Sequence, residues 1–204
     1  MTSHLPTWRG RLLTTVVVGT LATAPAPNAQ TARKFETFTG TTVNLAVGSG
    51  ETLRMNVFQW SPEDERSRML TAFQEKGGAE LLNAVRSAPS AGYLWTSESL
   101  GYTLRYAHHM PLPNGGERVI LLAERRLGSW SGTTWKASNP ASAPDYEFTL
   151  IELRLNRQGA GEGKMSLAAK VTADPEGKTI ALDQYDAAPI LLKGVGRVGV
   201  ASDK

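Results

Sequence analysis

The chain has no cysteine among its 204 residues. That absence excludes disulfides, thiol catalysis, thiolate metal sites and lipid attachment through an N-terminal cysteine, so the fold must depend on its apolar core. Histidine is almost as scarce, with only His4, His108 and His109. A long hydrophobic run is missing too. The apolar stretch "LLTTVVVGTLATA" near the start falls short of the ~20 residues that a spanning helix needs.

That stretch instead fits a secretory leader. Arg9 and Arg11 supply a positive start, the apolar run follows, and "APAPNAQ" offers small residues around a cut after Ala29. Residues 1–29 are therefore expected to be a signal peptide. Residues 30–204 are expected to form a single β-rich domain in the periplasm or outside the cell. Gly10 splits the two arginines, so there is no twin-arginine signal. Removing Arg9 and Arg11 from the 22 basic residues leaves 20 against 19 acidic ones. A net charge of +1 with no basic stripe gives no reason to expect nucleic acid as a partner. No transmembrane segment is expected in the mature chain.

Periodicity then sets the fold class. "KFETFTGTTVNLAV" and "ETLRMNVFQ" predict strands over 35–47 and 51–59, joined by Gly48-Ser49-Gly50. Leu53, Met55 and Val57 alternate with Arg54 and Asn56, as in a half-buried strand. "SPEDERSRMLTAFQEKGG" predicts a helix with Ser61 as N-cap, Pro62 at its first position and Gly77 as its stop. Its acidic start, Glu63, Asp64 and Glu65, is read as an offset to the helix dipole rather than as a site. "GAELLNAVRSA" predicts a second helix burying Leu81, Leu82 and Val85, so a helical insertion covers about 61–88. "SLGYTLRYAHHM" and "ERVILLAERR" predict a hairpin around Asn114-Gly115. The second of these strands is apolar on both faces and is expected to be central, with the helices outside. "YEFTLIELRLNRQG", "KMSLAAKVTA", "KTIALDQY" and "PILLKGVGRV" supply four more strands, with "GAGEG" and "DPEG" as links. The expected fold is mainly β (α+β): about eight antiparallel strands in a meander, closed into a barrel or a strongly curved sheet, with a two-helix insertion after the second strand.

Site chemistry is sparse. Neighbouring strand residues face opposite ways, so His108 and His109 are not expected to share a metal. On simple alternation His108 shares a face with Tyr102, Leu104 and Tyr106. No Gly-x-Ser-x-Gly elbow occurs, and "GAGEGKM" lacks the first glycine and the closing Ser or Thr of a phosphate loop. Asp183 and Asp186 could serve paired-carboxylate hydrolysis, but turn capping explains them as well. The segment from Leu127 to Asp145 is unusually long for a connection and carries Trp130 and Trp135. Tryptophan offers a broad apolar face with one polar N–H, suited to a sugar, a lipid or a protein. The expected ligand-binding residues are Trp130, Trp135, Tyr102, Tyr106 and His108. No catalytic residue, metal or cofactor is assigned.

The stretches "VFQWSPEDERSRMLTAFQEKGGAELLNAVRSAPSAGYL", "SLGYTLRYAHHMPLPNGGERVILLAERRLGSW", "YEFTLIELRLNRQGAGEGK" and "DQYDAAPILLKGV" together resemble a group of exported bacterial proteins of unknown function. The likeness spans nearly all of the chain after the leader. The resemblance implies an intact, exported domain and transfers no catalytic residue; the doubled histidine departs from that group. Three functions remain open. The favoured one is a non-catalytic binding module for a small apolar or amphipathic ligand, inside a barrel or under the Trp loop. The others are an envelope protein-interaction module and, ranked last, a carboxylate-based hydrolase.

Overall fold

In chain order the strands are β1 (Glu36–Thr42), β2 (Leu45–Val47), β3 (Thr52–Val57), β4 (Gly92–Trp95), β5 (Tyr102–Pro111), β6 (Glu117–Ala123), β7 (Lys136–Ala137), β8 (Thr149–Leu155), β9 (Ala160–Met165), β10 (Val171–Asp174), β11 (Thr179–Leu182) and β12 (Leu192–Val198). Helices α1 (Glu63–Lys76) and α2 (Gly78–Ser87) lie between β3 and β4. The computed structural model describes residues 1–2, 35–97, 101–139 and 144–198. The leader read over residues 1–29 lies outside the described residues apart from Met1 and Thr2. Among the described residues no helix is long and apolar enough to cross a membrane.

Eight strands close into an antiparallel barrel in the order β1-β12-β9-β8-β6-β5-β4-β3. The pairs β10-β11 and β2-β7 stand apart from it as two-stranded sheets. Strand alternation sorts the apolar residues into two cores. Val119, Leu121 and Ala123 of β6 join Phe38, Leu53, Met55, Leu94, Ile151 and Leu153 in the barrel interior. Each is essentially inaccessible to solvent, so the interior is filled with side chains. Ile120 and Leu122 point outward and, with Tyr106 and Leu150, meet Met69, Leu81 and Val85 of the helices and Ile180 of β11. The central strand with helices outside is therefore what forms. Each fully buried Leu or Phe contributes about 1.5–3 kcal/mol, enough in sum to hold the barrel without disulfides.

Three local expectations are corrected, and one strand joins those expected. "GYLW" is a barrel strand, β4, pairing with both β3 and β5; at four residues it is too short to declare a period. "KMSLAAKVTA" is not one strand but the end of β9 and the start of β10, broken at Ser166–Lys170. "GAGEG" is not a link, since residues 160–163 lie within β9. There a Cβ at Gly161 would collide with the Arg154 carbonyl and one at Gly163 with the Leu153 side chain. Close packing against β8, rather than a turn, explains these glycines. Ser61 does not cap α1, whose N-cap is Pro62. Its hydroxyl instead accepts the Ala107 N–H at 3.1 Å while its own N–H donates to the Ala107 carbonyl at 2.7 Å, which staples the helix entry to β5.

Candidate functional site

One extra residue rearranges the residues singled out on β5. Leu104 pairs with Ala123 and Tyr106 with Leu122, so Arg105 is a bulge that shifts the alternation by one. Tyr102 consequently lies in the barrel core, whereas Tyr106 lies in the outer core beneath the helices. The common face expected for Tyr102, Tyr106 and His108 does not exist. Arg105 anchors the bulge by donating to the Ala88 carbonyl and to Glu124. Burial pushes the Tyr106 hydroxyl up to about 12, against the lowering effect of its hydrogen bond with Thr179.

His108 also faces α1, where Arg66 Nη1 donates to its Nε2 at 3.4 Å. Burial first, then the charges of Arg66, His109 and Arg118, lower His108 from 6.5 to about 4. The unfolded chain therefore binds this proton more readily than the folded one between those values. Its contribution to stability is present above pH 6.5 and is lost as pH falls to about 4. We expect melting experiments to show a loss of ~1 kcal/mol across that window, small because the ring is partly solvated. His108→Gln should flatten it. An unchanged slope in the variant would assign the loss to other groups.

The two tryptophans of the long segment play different parts. Trp135 is 6% exposed and belongs to the barrel core. Its N–H donates to the Leu127 carbonyl, the Leu127 N–H reaches Thr149, and the Gly128 N–H donates to the Tyr102 hydroxyl at 2.8 Å. β2 and β7 pair across the same end. Trp135 and Tyr102 thus close one mouth of the barrel. Trp130 is 47% exposed, in a short 3-10 turn (Ser129–Ser131) between left-handed Gly128 and Gly132. The Arg125 guanidinium lies over its ring, 4.7 Å from the centroid.

A groove runs beside that turn, outside the barrel. Its first chamber, about 420 Å³, is lined by Arg86, Arg125, Arg126 and Lys136 together with Asp145 and Glu147. Its second, about 460 Å³, is lined by Gly78, Ala79 and Leu82 of α2 together with Tyr146 and Phe148. Asp145, Tyr146 and Glu147 line both chambers, so the two adjoin. Both volumes fall in the range of about 300–1,000 Å³ typical of small-ligand sites. Tyr146 is the fixed wall between them: its ring packs on Phe148 at 4.8 Å and its hydroxyl accepts the Val171 N–H at 3.1 Å. The first chamber is basic and the second has an aromatic and aliphatic floor.

Sequence reasoning placed only Trp130 near this groove. It missed Arg125, Arg126, Lys136 and Tyr146. The available signal was the "ERR" that follows β6 directly before the tryptophan segment. Helix α2 could be placed there only by the fold.

Other clusters are present. At the far mouth, the Trp60 indole donates to Glu36, Arg197 bridges Glu36 and Glu117, Glu117 faces His109 Nδ1 at 3.7 Å, and His109 stacks on Trp60 at 4.3 Å. This closed ring ties β1, β5, β6 and β12 together. His109, Glu117 and Arg197 also border an open hollow of about 530 Å³, lined further by Asn156 and Arg157, while the ring holds both carboxylates against Arg197. Asp186 is solvent-exposed and pairs with Arg154. Asp183 borders a shallow hollow with Lys170. Among the described residues no group of three or more His, Asp or Glu is placed to hold a metal ion. No family model, curated protein or solved structure matches the chain.

Proposed function

We propose that the protein is an exported binding module for a small amphipathic ligand, held in the groove beneath the Trp130 turn and outside the barrel. The observation that carries this reading is that a basic chamber adjoins, across Tyr146, a chamber with an apolar floor of Ala79, Leu82 and Phe148. A ligand with an apolar body and a polar end matches that pairing, whereas a wholly polar or wholly apolar molecule would leave one chamber unmatched. The filled interior favours an external site over a ligand within the barrel. Export rests on the leader read in residues 1–29.

Native mass spectrometry of the mature protein from a periplasmic preparation, followed by denaturing extraction, tests the proposal. The expected result is a stoichiometric amphiphile released on unfolding. Ala79→Trp, at an exposed helix position, fills the apolar chamber and should reduce the bound fraction at least tenfold. A folded protein with a clean apo mass would overturn the reading.

A second reading, an envelope protein-contact module, is favoured by a row of aromatic rings on the outer wall. Phe35 meets Phe58, Phe58 meets Tyr93, and Tyr93 meets Trp95, at 5.3–6.4 Å between centroids. Tyr93 and Phe35 are each about two-fifths exposed. Capture of one specific partner that is lost in Tyr93→Ser but kept in Ala79→Trp would support it.

A further inference from the structure

Given an amphipathic ligand in this groove, as proposed above, we infer that its polar head is an anion, a carboxylate or a phosphate, bound by Arg125, Arg126 and Lys136. Its chain then lies past Tyr146 toward Ala79 and Leu82. The first chamber holds four cationic side chains against two carboxylates. Arg86 pairs with Glu147, both widely exposed, and Arg126 contacts Asp145, itself almost fully exposed. Among the described residues no carboxylate pairs with Arg125 or Lys136. Two positive charges are thus left without an ion-pair partner beside a chamber with an apolar floor.

Arg126 strengthens the argument. Its Nη2 donates to the Trp135 carbonyl at 3.3 Å, but its Nε is buried without a hydrogen-bond partner. Burial holds the guanidinium below its ordinary value, and the solvated Asp145 does not offset this. An anion in the chamber would add to the one exposed counter-charge, Asp145, that this partly desolvated cation has. Arg125, resting over Trp130, is held at the rim in a form suited to the bidentate recognition of carboxylate or phosphate oxygens. Trp130 is thereby a positioning residue for Arg125.

Calorimetric titration of the full mature protein with decanoate, decyl phosphate, 1-decanol and inorganic phosphate tests the inference. Either or both anionic amphiphiles should bind at least tenfold more tightly than 1-decanol at low salt, with the advantage shrinking as ionic strength rises. The better of the two identifies the head group. Arg125→Gln combined with Lys136→Gln should reduce that preference at least tenfold, with folding checked by melting temperature. Equal affinity for decanoate, decyl phosphate and 1-decanol would overturn the anionic head while leaving the groove reading intact. Inorganic phosphate binding as tightly as decyl phosphate would retain the anion contacts and overturn the amphipathic reading. No binding by any decyl probe would overturn both.

Discussion

Arg118→Ala is expected to destabilise the protein by up to about 3–5 kcal/mol, because it leaves a buried carboxylate with only the longer Arg154 contact, at 3.4 Å, as counter-charge. Glu152 lies on the outward face of β8, 0% exposed, under the β10-β11 pair. Arg118 Nε and Nη2 reach its two oxygens at 2.8 and 3.0 Å, and the Leu182 N–H donates to Oε2 at 3.1 Å. Arg118 Nη1 also meets Asp174 at 2.6 Å. Burial opposes the Arg118 charge, but Glu152 and then Asp174 outweigh it and hold the guanidinium above its ordinary range. Burial likewise acts to raise Asp174, and the Gly177 N–H together with Arg118 outweighs it and holds the carboxyl low. One arginine therefore fastens β10 and β11 onto the barrel. Denaturant unfolding measures the loss. Adding Glu152→Gln to Arg118→Ala should recover ~1 kcal/mol, since the buried charge that Arg154 alone compensates poorly is then gone. No recovery would show that lost packing, not charge, dominates.

Trp135→Ala is expected to cost a similar ~3–5 kcal/mol, by opening a cavity at the closed mouth of the barrel. The ring packs with Leu45, Leu127 and Ala137 in the barrel core. It also lies so close to Gly48 that a Cβ there would overlap it, and Gly48 sits at φ +90°. Gly48→Ala should therefore be destabilising as well, through the same contact and through backbone strain. Trp130→Ala, at the solvent, should alter stability by under ~1 kcal/mol. Comparable losses at Trp130 and Trp135 would contradict the assignment of one to the plug and the other to the rim.

The barrel was legible because its strands alternate: Leu53, Met55 and Val57, and the doubly apolar β6, declare their faces in the sequence. The helix end at Gly77 was legible for a local reason, its left-handed φ of 71°. The membership of the barrel was less so. β4 was hidden by its brevity, and the β10-β11 pair, patterned like a barrel strand pair, packs outside. The bulge at Arg105 left no mark in the sequence because hydrogen-bond register decides it. That one residue separates Tyr102 from Tyr106 and His108. Trp130 and Trp135 stood out by type, yet their opposite exposures follow from the pairing of β2 with β7. The basic chamber was illegible in position, since its cations come from α2, the turn after β6, and β7.

The most direct test of an external groove on a filled barrel is a solution NMR titration of isotope-labelled protein spanning residues 30–204 with decanoate. The expected result is a set of shift changes at Ala79, Leu82, Arg125, Lys136 and Tyr146, with Leu53, Leu121 and Leu153 of the interior unmoved. Changes concentrated on those interior leucines, with the groove residues silent, would mean that the ligand enters the barrel and would contradict the proposed site.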